Sequence, residues 1–495
     1  MIVLAVDIGS TSVRGGLYDG RGRHLAGTGA SVATGVRTTG DGASEADADA
    51  LREKCWRVID RVLQAAPDRT ADIAAVAVCT FAGNILGVDA AGRAVTPLMT
   101  YADSRAQEDA RQLAREIDEA AVHRRTGCYL HASYLPARLR WLARTRPCLF
   151  SRVRRWVTIG EYLETALFGD SAVSTCLASW NGMLDRTRLC WDTELLARLP
   201  IDAARLSPLT DASLPRRGLR APFADRWPAL SRIPWFPAVG DGAAAAVGSD
   251  CQDAGRVAVT IGTSSAVRAV VTEAVDEPPD GLWCYVVDEK RSLLGGALNE
   301  GGSVFAWLRG LLATPPDAEM QRRLAAMAPD AHGLTLLPFL EGERSPGWAG
   351  GARGVIYGLT GATTSLEIVR AALEAVACRL CLVYEALRPY LARGHEIIVG
   401  GGAVQASPLW LQILADVLGR PVHLHPEKEV SSRGAALLAA AALGRSEGPR
   451  PLSSLPVRSV RPDPRRHARY RRAIERQQAL YRALVRDRRP VVAQD

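Results

Sequence analysis

The sequence predicts an α/β protein built as two halves with a nucleotide-binding cleft between them. Four short glycine-bearing segments carry this reading: Asp7-Ile8-Gly9-Ser10-Thr11, Gly240-Asp241-Gly242, Gly262-Thr263-Ser264 and Gly400-Gly401-Gly402. The first, third and fourth each follow an apolar, strand-like run (Met1–Val6, Arg256–Ile261 and Glu396–Val399). A second observation is a repeat. The strand–turn–strand pattern of residues 1–30 returns at 256–275, so one candidate phosphate loop opens each half. With 495 residues the chain is long enough for two domains with substantial cores. The expected boundaries are 1–245 and 246–445, followed by a proline- and arginine-rich linker and basic tail over 446–495.

The elements follow in order. Residues 1–30 read as a strand, a glycine turn and a second strand (Val13–Tyr18), closed by the turn Asp19-Gly20-Arg21-Gly22. Apolar periodicity predicts helices over 45–65 and 104–121, and Ala74–Val78 reads as a buried strand. The stretch 205–237, rich in proline and arginine, reads as surface connection. Ala243–Val247 is helix-like, and the second hairpin occupies 256–275. A strand–turn–helix unit follows over 396–418, with Ser407-Pro408 opening the helix. Gly434–Leu443 is a small-residue helix able to approach a neighbour closely. Five prolines mark 446–465 as a linker.

These turns suit anion chemistry. Glycine and small hydroxyl residues at a strand end let backbone N–H groups face anionic oxygens. Thr11 and Thr263 add hydroxyl donors, with the N–H groups of Gly9, Ser10 and Gly262 around them. Asp7 and Asp241 add carboxylates that can hold Mg²⁺ near those oxygens or take a proton from an alcohol. Asp241 lies between two glycines, where backbone can come close to a ligand.

Composition excludes several alternatives. The chain is 47% hydrophobic and 23% charged, as in an ordinary globular protein. No apolar run reaches the roughly 18 residues of a membrane span, and a strand begins at once without a secretory n-region. The net charge of +8 is local. Residues 458–489 hold twelve arginines against three acidic residues, a net +9 that leaves the rest at −1. That pattern argues for a solvated basic tail rather than a nucleic-acid surface. Ten scattered cysteines suit a reducing cytoplasm, and the lone Cys378-x-x-Cys381 pair reads as helix packing rather than zinc. Only Lys54, Lys290 and Lys428 are present, none after a glycine, so no P-loop exists. The dinucleotide fingerprint fails as well, because Gln405 stands at its third glycine position.

Longer motifs resemble one family. Gly354-Val355-Ile356-Tyr357-Gly358-Leu359 is followed after seven residues by Glu367-Ile368-Val369-Arg370-Ala371-Ala372-Leu373-Glu374. Together they resemble the C-terminal signature of the FGGY carbohydrate kinases, of the actin/hexokinase superfamily. Pro338-Phe339-Leu340-Glu341-Gly342-Glu343-Arg344-Ser345-Pro346 is similar to that family's PFLxGERxP segment. Ser407-Pro408-Leu409-Trp410 through Ala415-Asp416 resembles the stretch after its adenosine-loop glycines. The N-terminal signature, Tyr134 to Leu142, departs with Arg138 in place of lysine and Leu135 in place of a small residue or proline. Thr126-Gly127 through Trp141, with Gly160-Glu161-Tyr162-Leu163, is most similar to the gluconokinase-like branch, beside the xylulokinases. The resemblance runs from about residue 2 to about 443.

The resemblance implies two ribonuclease-H-like domains flanking a nucleotide cleft. It implies ATP-dependent phosphorylation of a hydroxyl on a sugar, sugar acid or polyol, with ATP and Mg²⁺. Asp241 falls where the family keeps its catalytic base, and Asp7 where Mg²⁺ is held through water. Gly401, Gly402 and Gln405 fall in the loop that meets the α-phosphate and adenosine. The acceptor segment corresponds to Thr80, Phe81, Gly83 and Asn84, and W-x-D-x-R to Tyr101, Asp103 and Arg105. Gly83 and Asn84 stand where gluconokinase-like members carry histidine and serine, and Tyr101 replaces tryptophan. These departures predict emptied volume and an acceptor other than gluconate or a simple pentulose. The alternatives are a kinase for a larger sugar-containing or natural-product acceptor, or a non-catalytic nucleotide-binding sensor. The expected partners are a small carbohydrate and ATP, with no nucleic acid or membrane; a homodimer is left open.

Overall fold

A computed structural model of the chain describes residues 1–445 and 457–486. Strand β1 (Ile2–Ile8) has seven consecutive buried residues, so both of its faces are covered. It pairs antiparallel with β2 (Ser12–Asp19), which pairs antiparallel with β3 (Ala30–Ala33). On its other edge β1 runs parallel to β4 (Ile73–Thr80), and β4 runs parallel to β5 (Val239–Gly240). The sheet order is therefore β5-β4-β1-β2-β3.

The second sheet repeats the plan. It is built from β6 (Arg256–Ile261), β7 (Ser265–Val271), β8 (Trp283–Asp288), β9 (Arg291–Leu298), β10 (Glu396–Gly400), β11 (Val422–Leu424) and β12 (Arg458–Val460). Its order is β8-β9-β7-β6-β10-β11-β12. The inner run β9-β7-β6-β10-β11 has the order and directions of the first sheet, antiparallel on one side of β6 and parallel on the other. Each half thus has the ribonuclease-H-like sheet, and the molecule has the actin/hexokinase-like fold.

Helices cover these sheets. In α1 (Ala48–Ala65), Asp47 caps the start by accepting from Ala50 N, and Leu51, Cys55, Trp56, Ile59 and Val62 face the core. The glycine-flanked aspartate opens α2 (Asp241–Gly248). In α3 (Ser365–Leu387), Thr364 and Glu367 form a capping box, and Cys378 and Cys381 lie in the apolar core of the second half. Ser407 caps α4 (Pro408–Leu418). The small-residue helix is α5 (Val430–Ala442), and it crosses α2 with backbones in contact. A Cβ on Gly434 would lie 1.7 Å from Ala244 O, and one on Gly248 would lie 1.8 Å from Val430 O. This helix pair joins the two halves.

Three expectations change. The helix expected over 104–121 is two helices, Gln107–Glu116 and Glu119–Thr126, because Ile117 is extended and Asp118 caps the second by accepting from Ala121 N. The stretch 205–237 is only partly surface: Trp227, Leu230 and Trp235 are buried in the first half's core, with Trp227 edge-on to Trp56 at 5.6 Å. Part of the expected linker, 446–456, lies outside the described residues. From Arg458 the chain is built into the second half, first as β12 and then as α6 (Pro464–Tyr481), whose Tyr470, Ile474 and Gln477 are buried. The basic residues occupy the remaining faces of that helix. Among the described residues, no helix is long and apolar enough to cross a membrane.

Candidate functional site

A cavity of about 110 Å³ lies between the halves, at the end of β5. The first half supplies Ala82, Gly83, Tyr101, Ser133, Tyr134, Trp180 and Asp241. The second supplies Ser264, Ser265, Arg268, Trp283, Tyr285, Ala297, Arg344 and Trp348. Six of these are aromatic. Tyr285 stacks on Trp180 at 4.0 Å and on Trp283 at 4.5 Å, and the Tyr134 and Tyr285 hydroxyls share a hydrogen bond of 2.5 Å. Such a lining excludes water and leaves recognition to a few polar groups.

Asp241 is chief among those groups. Its two glycine neighbours are required by Trp180: a Cβ on Gly240 would lie 2.6 Å from the indole Nε1, and one on Gly242 2.4 Å from the ring. Burial raises the Asp241 carboxyl above the ordinary carboxylate range, while Arg268 and the N–H groups of Gly242 and Ala82 pull it back. The Arg268 guanidinium is lowered by its own burial, opposed by Asp241, with Arg344 adding repulsion. The buried Nε atoms of Arg268 and Arg344 and the Nε1 of Trp180 have no hydrogen-bond partner among the described residues. Orphaned donors of this kind call for an acceptor from outside the chain.

Asp7, at the end of β1, is 2% exposed. Burial pushes its carboxyl up to about 7, Arg14 opposes, and the charge of Asp241 raises it further. Arg14 reaches Asp7 at 3.2 Å and Glu429 of the second half at 2.7 Å, and so bridges the halves. Two buried carboxylates that repel each other form a donor set that a hard divalent cation would neutralise.

The candidate phosphate loops lie where the strands end. Gly9 N donates to Ser12 O and Gly262 N to Ser264 O, so these two amides close their own turns instead of facing a ligand. Ser10 is part-buried, and Thr11 and Thr263 are exposed. The Gly262–Ser264 turn rests on Gly301 and Gly302; a Cβ on Gly301 would meet Ser264 O at 2.7 Å. Gly401 has φ +103, and a Cβ there would lie 2.4 Å from Ile261 O. Open space lies above Gly400 and Gly402, where a ligand could approach. Gln405 turns its amide to His425 O at 3.4 Å.

The sequence-derived acceptor residues divide into two groups. Gly83, Tyr101 and Asp241 line the cavity. Thr80, Phe81, Asn84 and Asp103 are buried behind it. Asn84 donates to Phe81 O and accepts from Ile159 N at 2.8 Å; Asp103 accepts from Ser44 N at 3.1 Å and pairs with Arg105. These four hold the loops that present Gly83 and Tyr101. Nor does Gly83 leave a void, since a Cβ there would meet Ser133 O at 2.9 Å and Tyr101 Cβ at 3.3 Å. At Gly83, then, the neighbours stand close and the glycine leaves no void of its own.

Sequence reasoning missed Trp180, Arg268, Trp283 and Tyr285 as site residues, and it quoted Arg344 only as part of a motif. Their strands and loops come together only through tertiary pairing, although Arg268, four residues past Ser264 on β7, points to the same face by strand alternation.

Comparison with known proteins agrees with this geometry. The family model described as FGGY family of carbohydrate kinases, N-terminal domain, matches residues 2–248, and its C-terminal counterpart matches 257–443. The gluconokinase of Bacillus licheniformis is 27% identical over 455 residues, covering 90% of this chain and 88% of its own. The apulose kinase of Pectobacterium atrosepticum is 29% identical, covering 94% and 95%. The crystal structure of gluconate kinase from Lactobacillus acidophilus superposes with a TM-score of 0.86 at 26% identity, covering 98% of each chain.

Proposed function

The chain belongs to the FGGY family of carbohydrate kinases, and from that premise we propose that the cavity between its halves is the acceptor site, with Asp241 as general base. The protein is an ATP-dependent carbohydrate kinase. The reaction moves the γ-phosphoryl group of ATP to an acceptor hydroxyl: the hydroxyl oxygen bonds to phosphorus, the bond to the β-phosphate oxygen breaks, and ADP leaves. Asp241 receives the hydroxyl proton. Its raised carboxyl suits that task, because a carboxylate with a greater affinity for protons is the stronger base. The ring-lined walls exclude water that would otherwise compete for the phosphoryl group. Asp7 and Asp241 are the residues that would hold Mg²⁺, which supplies charge neutralisation on the phosphate oxygens.

One observation supports an acidic acceptor. Arg268 and Arg344 line the same small cavity, each keeps a buried Nε without a partner among the described residues, and they repel each other there. A carboxylate on the acceptor would pair with both. We therefore assign a compact sugar acid, the class to which the gluconate of the relatives' names belongs. The sequence-based expectation against gluconate rested on Gly83, Asn84 and Tyr101. Gly83 adds no volume and Asn84 faces away, so of the three only Tyr101, in the cavity wall, still bears on the acceptor, and the two arginines outweigh that one exchange. Eight of the ten free thiols are buried, which suits a reducing compartment such as the cytoplasm.

The test is a coupled ADP-release assay over aldonates, the matching polyols and ketoses. Sugar acids should exceed the matching polyols in kcat/KM by at least tenfold, the weight of one charged hydrogen-bond pair. Equal kcat/KM for an aldonate and its polyol would remove the acidic assignment.

A further inference from the structure

Helix α6 lies beyond the stretches matched by the two family models, which stop at residue 443. It nevertheless reaches the wall of the acceptor cavity. Most of its anchorage is distant from that wall: Tyr470 donates to Glu374 at 2.9 Å, and Gln477 donates to Leu336 O at 2.9 Å. Its last residue is different. Tyr481 donates its hydroxyl to Glu343 Oε2 at 2.5 Å.

Glu343 is 1% exposed and organises the loop that follows it. Its other oxygen accepts from Arg379 of α3 and from Gly347 N at 3.2 Å, while its own N–H donates to Ala349 O at 3.0 Å. The Arg379 guanidinium lies over the Tyr481 ring at 4.8 Å and the Phe339 ring at 5.2 Å. Gly347 touches the phenol directly, since a Cβ there would lie 1.9 Å from the Tyr481 oxygen. The same loop presents Arg344 and Trp348 to the cavity. Arg344 lies over the Tyr101 ring at 5.5 Å, and Trp348 stacks on Tyr129 at 5.0 Å.

We propose that Tyr481 is a positioning residue for the acceptor: through Glu343 it fixes the loop that sets Arg344 and Trp348 against the bound sugar acid. The inference rests on the cavity being the acceptor site. Without the phenol hydroxyl, one oxygen of a buried carboxylate loses its only side-chain donor among the described residues. The carboxylate then turns toward Arg379 and loosens its hold on Gly347 N. Arg344 and Trp348 keep their identity and lose their placement. Contacts to the acceptor weaken, while the nucleotide loops, on β1, β6 and β10, are untouched.

Steady-state kinetics of the full chain test this, with D-gluconate, glycerol and D-xylulose as acceptor probes. Tyr481→Phe keeps the ring and its contact with Arg379. It should raise the KM of the sugar that turns over roughly 3- to 10-fold, with ATP KM and kcat within about twofold. Tyr470→Phe is the structural control: it should lower the thermal midpoint and leave acceptor KM unchanged. The proposal falls if Tyr481→Phe leaves acceptor KM within twofold of wild type, or raises acceptor and ATP KM together. Arg344→Lys separates the two readings. If it raises acceptor KM while Tyr481→Phe does not, only the positioning role is lost. If it leaves acceptor KM unchanged, or if none of the three probes turns over, the cavity assignment and the inference built on it both fall.

Discussion

Asp241 works from a turn that the indole of Trp180 has shaped, because neither glycine beside it has room for a Cβ. The carboxyl therefore sits on backbone that cannot drift, in a pocket that raises its proton affinity. Asp241→Asn preserves size and the acceptor role toward the Gly242 and Ala82 amides, so fold and nucleotide binding should persist. Turnover should fall roughly 10²- to 10⁴-fold, the range for a positioned base. Coupled ADP release measures the loss, and nucleotide titration followed by fluorescence measures binding. A variant that keeps most of its turnover would strip Asp241 of the role. This residue was legible because glycine–aspartate–glycine is a local pattern with a local meaning. Arg268 was not, since its significance comes from facing Arg344 across a cavity, a relation between segments far apart in the chain. Asn84 shows the opposite failure: a polar residue in the right segment whose side chain is used in hydrogen bonds to the backbone of Phe81 and Ile159 and to the Thr80 hydroxyl.

Helices α2 and α5 meet glycine to backbone, and that contact sets their separation. Gly434→Ala would drive a methyl to 1.7 Å from Ala244 O, an atom fixed in a helix. The pair must part, and the loss should be about 3 kcal/mol, at the upper end of ordinary overpacking. Gly310→Ala is the matched control, because a Cβ there meets nothing within 4 Å. It should gain about 0.5–1 kcal/mol from helix propensity alone. Thermal or denaturant unfolding reads both, and a neutral Gly434→Ala would refute the close crossing. The helix Ile159–Phe168 carries a different signal. Burial pushes Glu164 from 4.5 up to about 7, aided by the charges of Glu161 and Asp170. Between those values the folded chain holds a proton that the unfolded chain has released. Stability should therefore fall as pH rises from about 4.5 to about 7, by on the order of 2–3 kcal/mol, and level off above. Glu164→Gln can still accept from Ala172 N, so it should match wild type at pH 5 and exceed it at pH 8 in denaturant midpoint. An unchanged slope would locate the titration elsewhere. Small-residue patterning made α5 legible before its partner was known. The break at Ile117 was not, because Asp118 acts as a cap only once the chain turns there, and the Trp227–Trp235 segment was hidden by its prolines and arginines.

At the scale of the whole molecule, two copies of one sheet plan are joined in one chain, and the groups proposed for phosphoryl transfer are divided between them. The repeat was visible as two similar hairpins. The strand orders were not, because parallel pairing of β4 with β1 and of β10 with β6 joins segments separated by whole helices. Division of labour has a functional consequence. Asp7 and Asp241 belong to the first half, the Gly262–Ser264 and Gly400–Gly402 turns to the second, and Arg14 with Glu429 spans the gap beside Asp7. Nucleotide and metal should then depend on both halves at once, and the acceptor on the aromatic cavity alone. Asp7→Ala separates these dependences. Removing that carboxylate takes away one of the two partners of Arg14 among the described residues, leaving Glu429, and one of the two charges that Mg²⁺ would neutralise, while no residue lining the cavity changes. The Mg²⁺ concentration for half-maximal rate should rise roughly tenfold or more, with acceptor KM within about twofold. Magnesium titration at saturating ATP, repeated over a range of sugar-acid concentrations, measures both. If the two constants move together, Asp7 acts on the fold of the cleft rather than on the metal. If the Mg²⁺ requirement stays at its wild-type value, the metal is held without β1, and the division of the site between two halves is wrong.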